Sequence, residues 1–225
     1  MGLSPAMNPI ELKKHISSMP WAVEASKIVT RALHLCRSPA EAVVAFNGGK
    51  DCTALLYLVL ADWALKFPNT PLTALYIVDN PDEVFPEITE FVSQTAQQLP
   101  LELVEISRLS TPAALAELLR MRPEVRFVFM GTRRTDPHGN QLEAFTPTDI
   151  SWPAVMRVNP ILHWKYSETW KFLKQIQAPV CSLYERGYTS LGDKSTTLQN
   201  PSLGDRHASE LENSDDERAG RIRRK

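Results

Sequence analysis

Cysteine is scarce in this chain of 225 residues: Cys36, Cys52 and Cys181 stand far apart, and none belongs to a C-x-x-C pair. That spacing argues against a disulfide framework or a four-thiolate zinc site and fits reduced thiols in an intracellular protein. No apolar run approaches the roughly 18 residues of a membrane span, and the N-terminus lacks the continuous apolar core of a signal peptide. An excess of one charge is lacking too. The 25 Lys and Arg stand against 26 Asp and Glu, so bulk electrostatics point to neither nucleic acid nor a membrane surface. No Walker A loop and no G-x-G-x-x-G occurs, and no segment repeats. The expectation is a cytoplasmic, monomeric protein without a nucleic-acid or membrane partner.

Hydrophobic residues make up 43% of the chain, enough for a sizeable core. Residues 9–19 and 20–36 read as two helices, the second with Val23, Ile28, Val29 and Leu33 at helical spacing. Ala42 to Phe46 is a short continuous apolar run, the mark of a strand buried on both faces. Helices are expected over 53–65, 85–99, 111–121 and 166–177, with Thr111 and Ser167 as N-caps. Strands are expected over 72–78, 101–106 and 125–130. This alternation predicts an α/β fold, a mostly parallel twisted sheet with helices on both faces. Residues 131–160, rich in Thr, Asp, Pro and Arg, read as a long functional loop. Residues 1–192 are taken as one nucleotide-binding catalytic domain and 193–225 as a polar, irregular tail.

The segment Asn47-Gly48-Gly49-Lys50-Asp51 joins the first strand to an apolar helix. In an open parallel sheet, ligands bind beyond the carboxyl ends of the strands, where this loop lies. The glycines permit close backbone approach and conformations closed to larger residues. Backbone N–H groups at the helix start attract an anion, and Lys50 adds a positive charge for phosphate. Asp51 suits either Mg²⁺ or the helix cap.

Phe46 to Asp51 resembles the S-G-G-x-D pyrophosphate loop of the N-type ATP pyrophosphatases, close to the phosphoadenylylsulfate-reductase branch, with Asn47 in place of the usual Ser. Three further blocks narrow the likeness: Met130 to Pro137 (MGTRRTDP), Asn159 to Trp164 (NPILHW) and Tyr184 to Gly192 (YERGYTSLG). Together they look like the eukaryotic FAD synthase (FMN adenylyltransferase) family, over about Ala42 to Gly192. The fold implied is the Rossmann-like one of the adenine nucleotide alpha hydrolases. The reaction implied joins FMN and ATP into FAD and pyrophosphate, with Mg²⁺ as cofactor. By the same resemblance, Asn47, Asp51, Asp136 and Arg133 are catalytic. Phe46, Asn47, Gly48, Gly49, Lys50, Asp51, Gly131 and Arg134 hold ATP or its pyrophosphate, and Asp51 and Asp136 bind the metal; Val78 is expected at the adenine from the fold, since backbone groups at that strand end can read its edge. One of Arg133 and Arg134 meets phosphate and the other faces solvent. Asp149, Trp152 and Arg157 fall to the flavin. So do Arg218 and Arg221 of an E-R-x-x-R element, in a tail that would close over the ring.

Each assignment has a plainer alternative. Asp136 before Pro137 suits a turn, Asp149 a loop cap, Trp152 the core, and the tail arginines a solvated charged run. His163, in an apolar block, reads as a core histidine rather than a base. The competing functions are a phosphoadenylylsulfate reductase, another adenylating enzyme and a non-catalytic flavin or nucleotide carrier. The reductase needs a nucleophilic Cys near its C-terminus, and no Cys follows Cys181 here.

Overall fold

The protein is described by a computed structural model covering residues 8–222. Six strands form one sheet in the order β3-β2-β1-β4-β6-β5. They are β1 (Ala42–Ala45), β2 (Leu72–Val78), β3 (Leu101–Ser107), β4 (Phe127–Phe129), β5 (Phe145–Pro147) and β6 (Met156–Val158). Only β5 is antiparallel to its neighbour. The long loop expected over 131–160 therefore contains two strands. At three residues each, they are too short to show a period in the sequence, and pairing of β6 with β4 and of β5 with β6 supplies the order.

The helices are α1 (Pro9–Ser17), α2 (Pro20–Leu35), α3 (Lys50–Lys66), α4 (Pro86–Gln98), α5 (Thr111–Met121) and α6 (Tyr166–Gln175). Two expected caps move by one or two residues. Ser110 precedes α5, so Thr111 and Pro112 are its first two helical residues. Lys165 precedes α6, and its N–H donates to Glu168 at 2.8 Å, so the acid three residues on closes the turn instead of Ser167. His163 is exposed, which corrects its reading as a core residue: neighbouring Leu162 and Trp164 turn inward while it turns out.

Strand alternation divides the core. Val44, Phe46, Ala74, Tyr76, Phe127 and Phe129 face α3, whose whole circumference is covered by the sheet on one side and by α1, α2 and α6 on the others. Residues of α4 join this same cluster. Val43, Leu75, Val104 and Val128 face the other way, where α5 (through Ala114, Leu115 and Leu118) is the covering helix among the described residues. The helices are thus on both faces but unevenly so. On the α5 face, β6 presents Arg157 beside Val128, and β5 presents Thr146 beside Arg157. This end of that face is polar where the rest is apolar.

The C-terminal residues, expected to be irregular, are made of short 3₁₀ turns that fold back on the domain. Leu198 N–H donates to Gly220 O at 2.8 Å and Ile222 N–H to Thr196 O at 2.9 Å. Among the described residues no helix is long and apolar enough to cross a membrane.

Phe129 is fully buried in β4, between α3 and the sheet. Phe129→Ala is expected to cost about 3–5 kcal/mol of unfolding free energy, to be read from urea denaturation followed by circular dichroism.

Candidate active site

The strand order reverses between β1 and β4, which opens a crevice at their carboxyl ends. The loop Phe46–Gly49 leaves β1 there and Gly131 leaves β4. A Cβ on Gly131 would lie 2.9 Å from both the backbone nitrogen and the sulfur of Cys52, so only glycine lets the end of β4 approach the start of α3 this closely. Gly48 has φ +76°, and a Cβ on it would meet Val92 and Ile88 of α4 at 3.2 and 3.3 Å. Its freedom serves the turn and the packing on α4. Asn47 Oδ1 accepts from Gly49 N–H at 3.0 Å and fixes the turn. The first helical N–H, that of Lys50, donates to the Tyr184 hydroxyl at 2.7 Å.

Four charged groups meet under this loop. Lys50 Nζ lies 2.9 Å from Asp51 Oδ2 and 2.6 Å from Glu217 Oε1. Arg133 Nε lies 2.9 Å from Asp51 Oδ1, and its Nη2 donates to both oxygens of Glu217, to Oε2 at 2.5 Å. Thr169 Oγ1 donates to Asp51 Oδ1 at 3.1 Å. The Lys50 and Arg133 side chains are 3% and 1% exposed, so these charges can exist only because they balance. Burial would raise the Asp51 pKa, but Lys50 and then Arg133 outweigh it and hold the carboxyl below its usual value. For Arg133, burial is outweighed by Asp51 and Glu217, and its pKa rises.

Asp136 is placed differently. Burial is the largest influence on it and raises its pKa; Asp51 and Glu217 add to this, against the N–H of Arg133 and its guanidinium. Arg133 N–H donates to Oδ2 at 2.8 Å, while Oδ1 lies 4.0 Å from Arg218. Asn47, Gly49, Lys50, Asp51, Asp136 and Arg218 line a cavity of about 150 Å³. Its neighbour of about 480 Å³ runs along Phe46, Leu75, Val78, Met130 and Thr132, and both cavities touch Asn47, Cys52, Gly131 and Asp136. Burial pushes the Cys52 thiol up to about 12, so it is protonated at neutral pH.

The crevice thus gathers Asn47, Gly49, Lys50, Asp51, Val78, Gly131, Asp136 and Arg218 from the expected set. Arg134 is elsewhere: it donates to Asn140 O at 2.7 Å and braces its own loop. Arg221 donates to Leu191 O at 2.7 Å and fills the space that a Cβ on Gly192 would need, which makes it an anchor of the tail. Asp149 and Trp152 line a separate cavity of about 420 Å³ at the amino ends of β4 and β6. Arg157 bonds to Pro147 O at 2.9 Å beside Asp149. Three residues went unassigned in the sequence: Thr169, Tyr184 and Glu217. Glu217 carried a signal, as the acid of E-R-x-x-R, but no spacing connects it to Lys50, 167 positions away.

The fold and the loop at a strand's carboxyl end define an open α/β domain, and residues 110–199 match the family model of the phosphoadenosine phosphosulfate reductase domain. The chain is 39% identical over 186 residues to a probable FAD synthase of Caenorhabditis elegans, covering 80% of this chain and 34% of that one. To a probable FAD synthase of Schizosaccharomyces pombe it is 37% identical, over 73% of this chain and 63% of that one. The chain therefore spans under two thirds of the length of these curated relatives. A crystal structure of Candida glabrata FMN adenylyltransferase in complex with FMN and the ATP analogue AMPCPP is 30% identical. It superposes with a TM-score of 0.75 over 87% of this chain and 74% of that one. The chain belongs to the FAD synthase (FMN adenylyltransferase) family.

The lowered pKa of Asp51 has a measurable sign. A depressed carboxyl contributes stability that is present above its unfolded pKa and lost as pH falls through the folded one. Asp51→Asn is expected to lose about 3 kcal/mol at neutral pH, as when one partner of a buried pair is removed. The difference from wild type should narrow below the usual carboxylate range. Denaturant unfolding at pH 7 and pH 3 checks both.

Proposed function

We propose that this chain transfers the AMP moiety of ATP to FMN, giving FAD and pyrophosphate. The observation that carries this is the pair of cavities meeting at Asn47, Gly131 and Asp136, a small polar one beneath the loop with Lys50 and Arg218 in its wall and a larger, more apolar one along β2 and β4. Adenosine fits the larger cavity, and phosphates would enter the smaller one with a cation to offset Asp51, Asp136 and Glu217. A phosphate oxygen of FMN attacks the α-phosphorus of ATP, the bond to the bridging oxygen breaks, and pyrophosphate leaves. The attacking group is already an anion at neutral pH, so catalysis rests on alignment and charge neutralisation.

Within this proposal the leaving pyrophosphate lies against the Asn47 turn and the start of α3, and Arg218 meets the incoming phosphate. Asp51 keeps Lys50 and Arg133 extended beneath the loop. Of the two carboxylates assigned to Mg²⁺, Asp136 fits better. Its Oδ1 faces the cavity with only Arg218, at 4.0 Å, beside it, whereas both Asp51 oxygens are taken by cations. One carboxylate plus substrate phosphates is a usual Mg²⁺ set, and the ion would neutralise charge on the leaving group. The flavin ring is assigned to the sparsely covered α5 face of β4 and β6, between Met130 and the Asp149–Trp152 loop, with Arg157 beneath it. The balanced charge of the chain supports small-molecule partners, the scattered thiols support a cytoplasmic location, and size-exclusion chromatography would test the expected monomer.

Incubation with FMN, [α-³²P]ATP and Mg²⁺ should yield labelled FAD. Absence of FAD, with FMN and the ATP analogue still bound, would instead identify a carrier. Asp136→Ala is expected to lower turnover by at least a hundredfold while far-ultraviolet circular dichroism stays that of wild type. Chelation of Mg²⁺ should abolish FAD formation, and restored metal should recover it.

A further inference from the structure

Glu217 has no part in the transfer just described, yet it is the most constrained acid of the C-terminal segment. Its residue is 7% exposed, and its carboxylate holds the two cations beneath the phosphate loop. Its backbone is held independently. Thr189 Oγ1 donates to Glu217 O at 2.7 Å, and Asn200 Nδ2 donates to Asp216 O at 2.7 Å and to Thr189 Oγ1 at 2.9 Å. On the far side, Gly220 O accepts from Leu198 N–H at 2.8 Å and Arg221 is locked against Gly192. Arg218 sits between these anchors. Its side chain is 41% exposed and lines the small cavity, 4.0 Å from Asp136.

A long exposed arginine loses rotamer freedom when it is aimed at a ligand, and fixing its backbone lowers that cost. The ion pairs of Glu217 fix the backbone next to Arg218. The same carboxylate also stands in the cavity that would take the phosphates, where it competes with them for Lys50 and Arg133. We infer that Glu217 is a positioning residue, an internal counter-anion that docks the C-terminal turn on the phosphate-loop cations and thereby sets Arg218 for the incoming phosphate. The inference rests on the activity proposed above for the identity of the two ligands. It adds that the chain's own tail connects their two subsites.

The two roles pull binding in opposite directions, and a purely structural residue would not do this. Glu217→Gln keeps the shape and removes the charge. FMN affinity, read by quenching of flavin fluorescence, should weaken at least tenfold. Affinity for the non-hydrolysable ATP analogue with Mg²⁺, read by calorimetry, should stay unchanged or tighten. Thr189→Val keeps the Glu217 charge and releases its backbone. It should weaken FMN about threefold without moving the analogue, and it decides the matter if Glu217→Gln does not fold. Unchanged FMN affinity in the folded variants overturns the inference. So does an equal weakening of both ligands, which would mark Glu217 as structural. These binding measurements do not need turnover, so a wild-type protein that binds both ligands but makes no FAD would refute the proposed activity and leave the role of Glu217 to be decided by the split.

Discussion

The balance of two cations and two anions beneath the phosphate loop is the constraint on which the site depends. Lys50 and Arg133 are almost fully buried, and a lone buried charge is far costlier than a paired one. Asp51 answers both from the adjoining helix and Glu217 answers both from the tail. Removing any one leaves a buried charge short of a partner. The cluster therefore ties three distant stretches of chain into one body: the start of α3, the loop after β4 and the C-terminal turn. Thr169 of α6 adds a fourth through its bond to Asp51.

The balance also explains which groups are left for a ligand. With Lys50 and Arg133 spent on internal partners, what the small cavity offers a ligand is the Asn47 turn and the loosely spaced Asp136–Arg218 pair, 4.0 Å apart. An incoming triphosphate would have to bring a cation or take Lys50 and Arg133 from Glu217. Either route makes binding sensitive to charge. The geometry around Gly131 serves the same end, since the close approach of β4 to α3 brings Asp136 alongside the loop.

Much of the fold was legible along the chain because its strands and helices are long enough to show a period. Strand β2 has the bounds read from sequence, and β1, β3 and the main helices lie within a few residues of theirs. The short β5 and β6 were not legible, because neither lies in a continuous apolar run like that around β4, and they are ordered by pairing, β6 with β4 and β5 with β6. The NPILHW block, which helps to mark the family, braces the loop after β4: Asn159 Nδ2 donates to Glu143 O at 2.8 Å, and Leu162 O accepts from Arg134 N–H at 2.7 Å. His163 was misread because an apolar neighbourhood in sequence need not surround a side chain in space.

By itself the sequence determined the alternating α/β order, the place of the Asn-Gly-Gly-Lys-Asp loop at a strand's carboxyl end, and the family. Local chemistry suffices for the first two, since an apolar run makes a buried strand and a glycine pair permits the turn; the family rests on the resemblance carried by four sequence blocks. Only the tertiary structure decided what the loop's charges do. It turned Lys50 and Arg133 inward onto Asp51 and Glu217, sent Arg134 and Arg221 to structural posts, and left Arg218 facing the cavity. The reason is that a charge pairs with whatever the fold brings within a few ångströms, and Glu217 comes to Lys50 from 167 residues away.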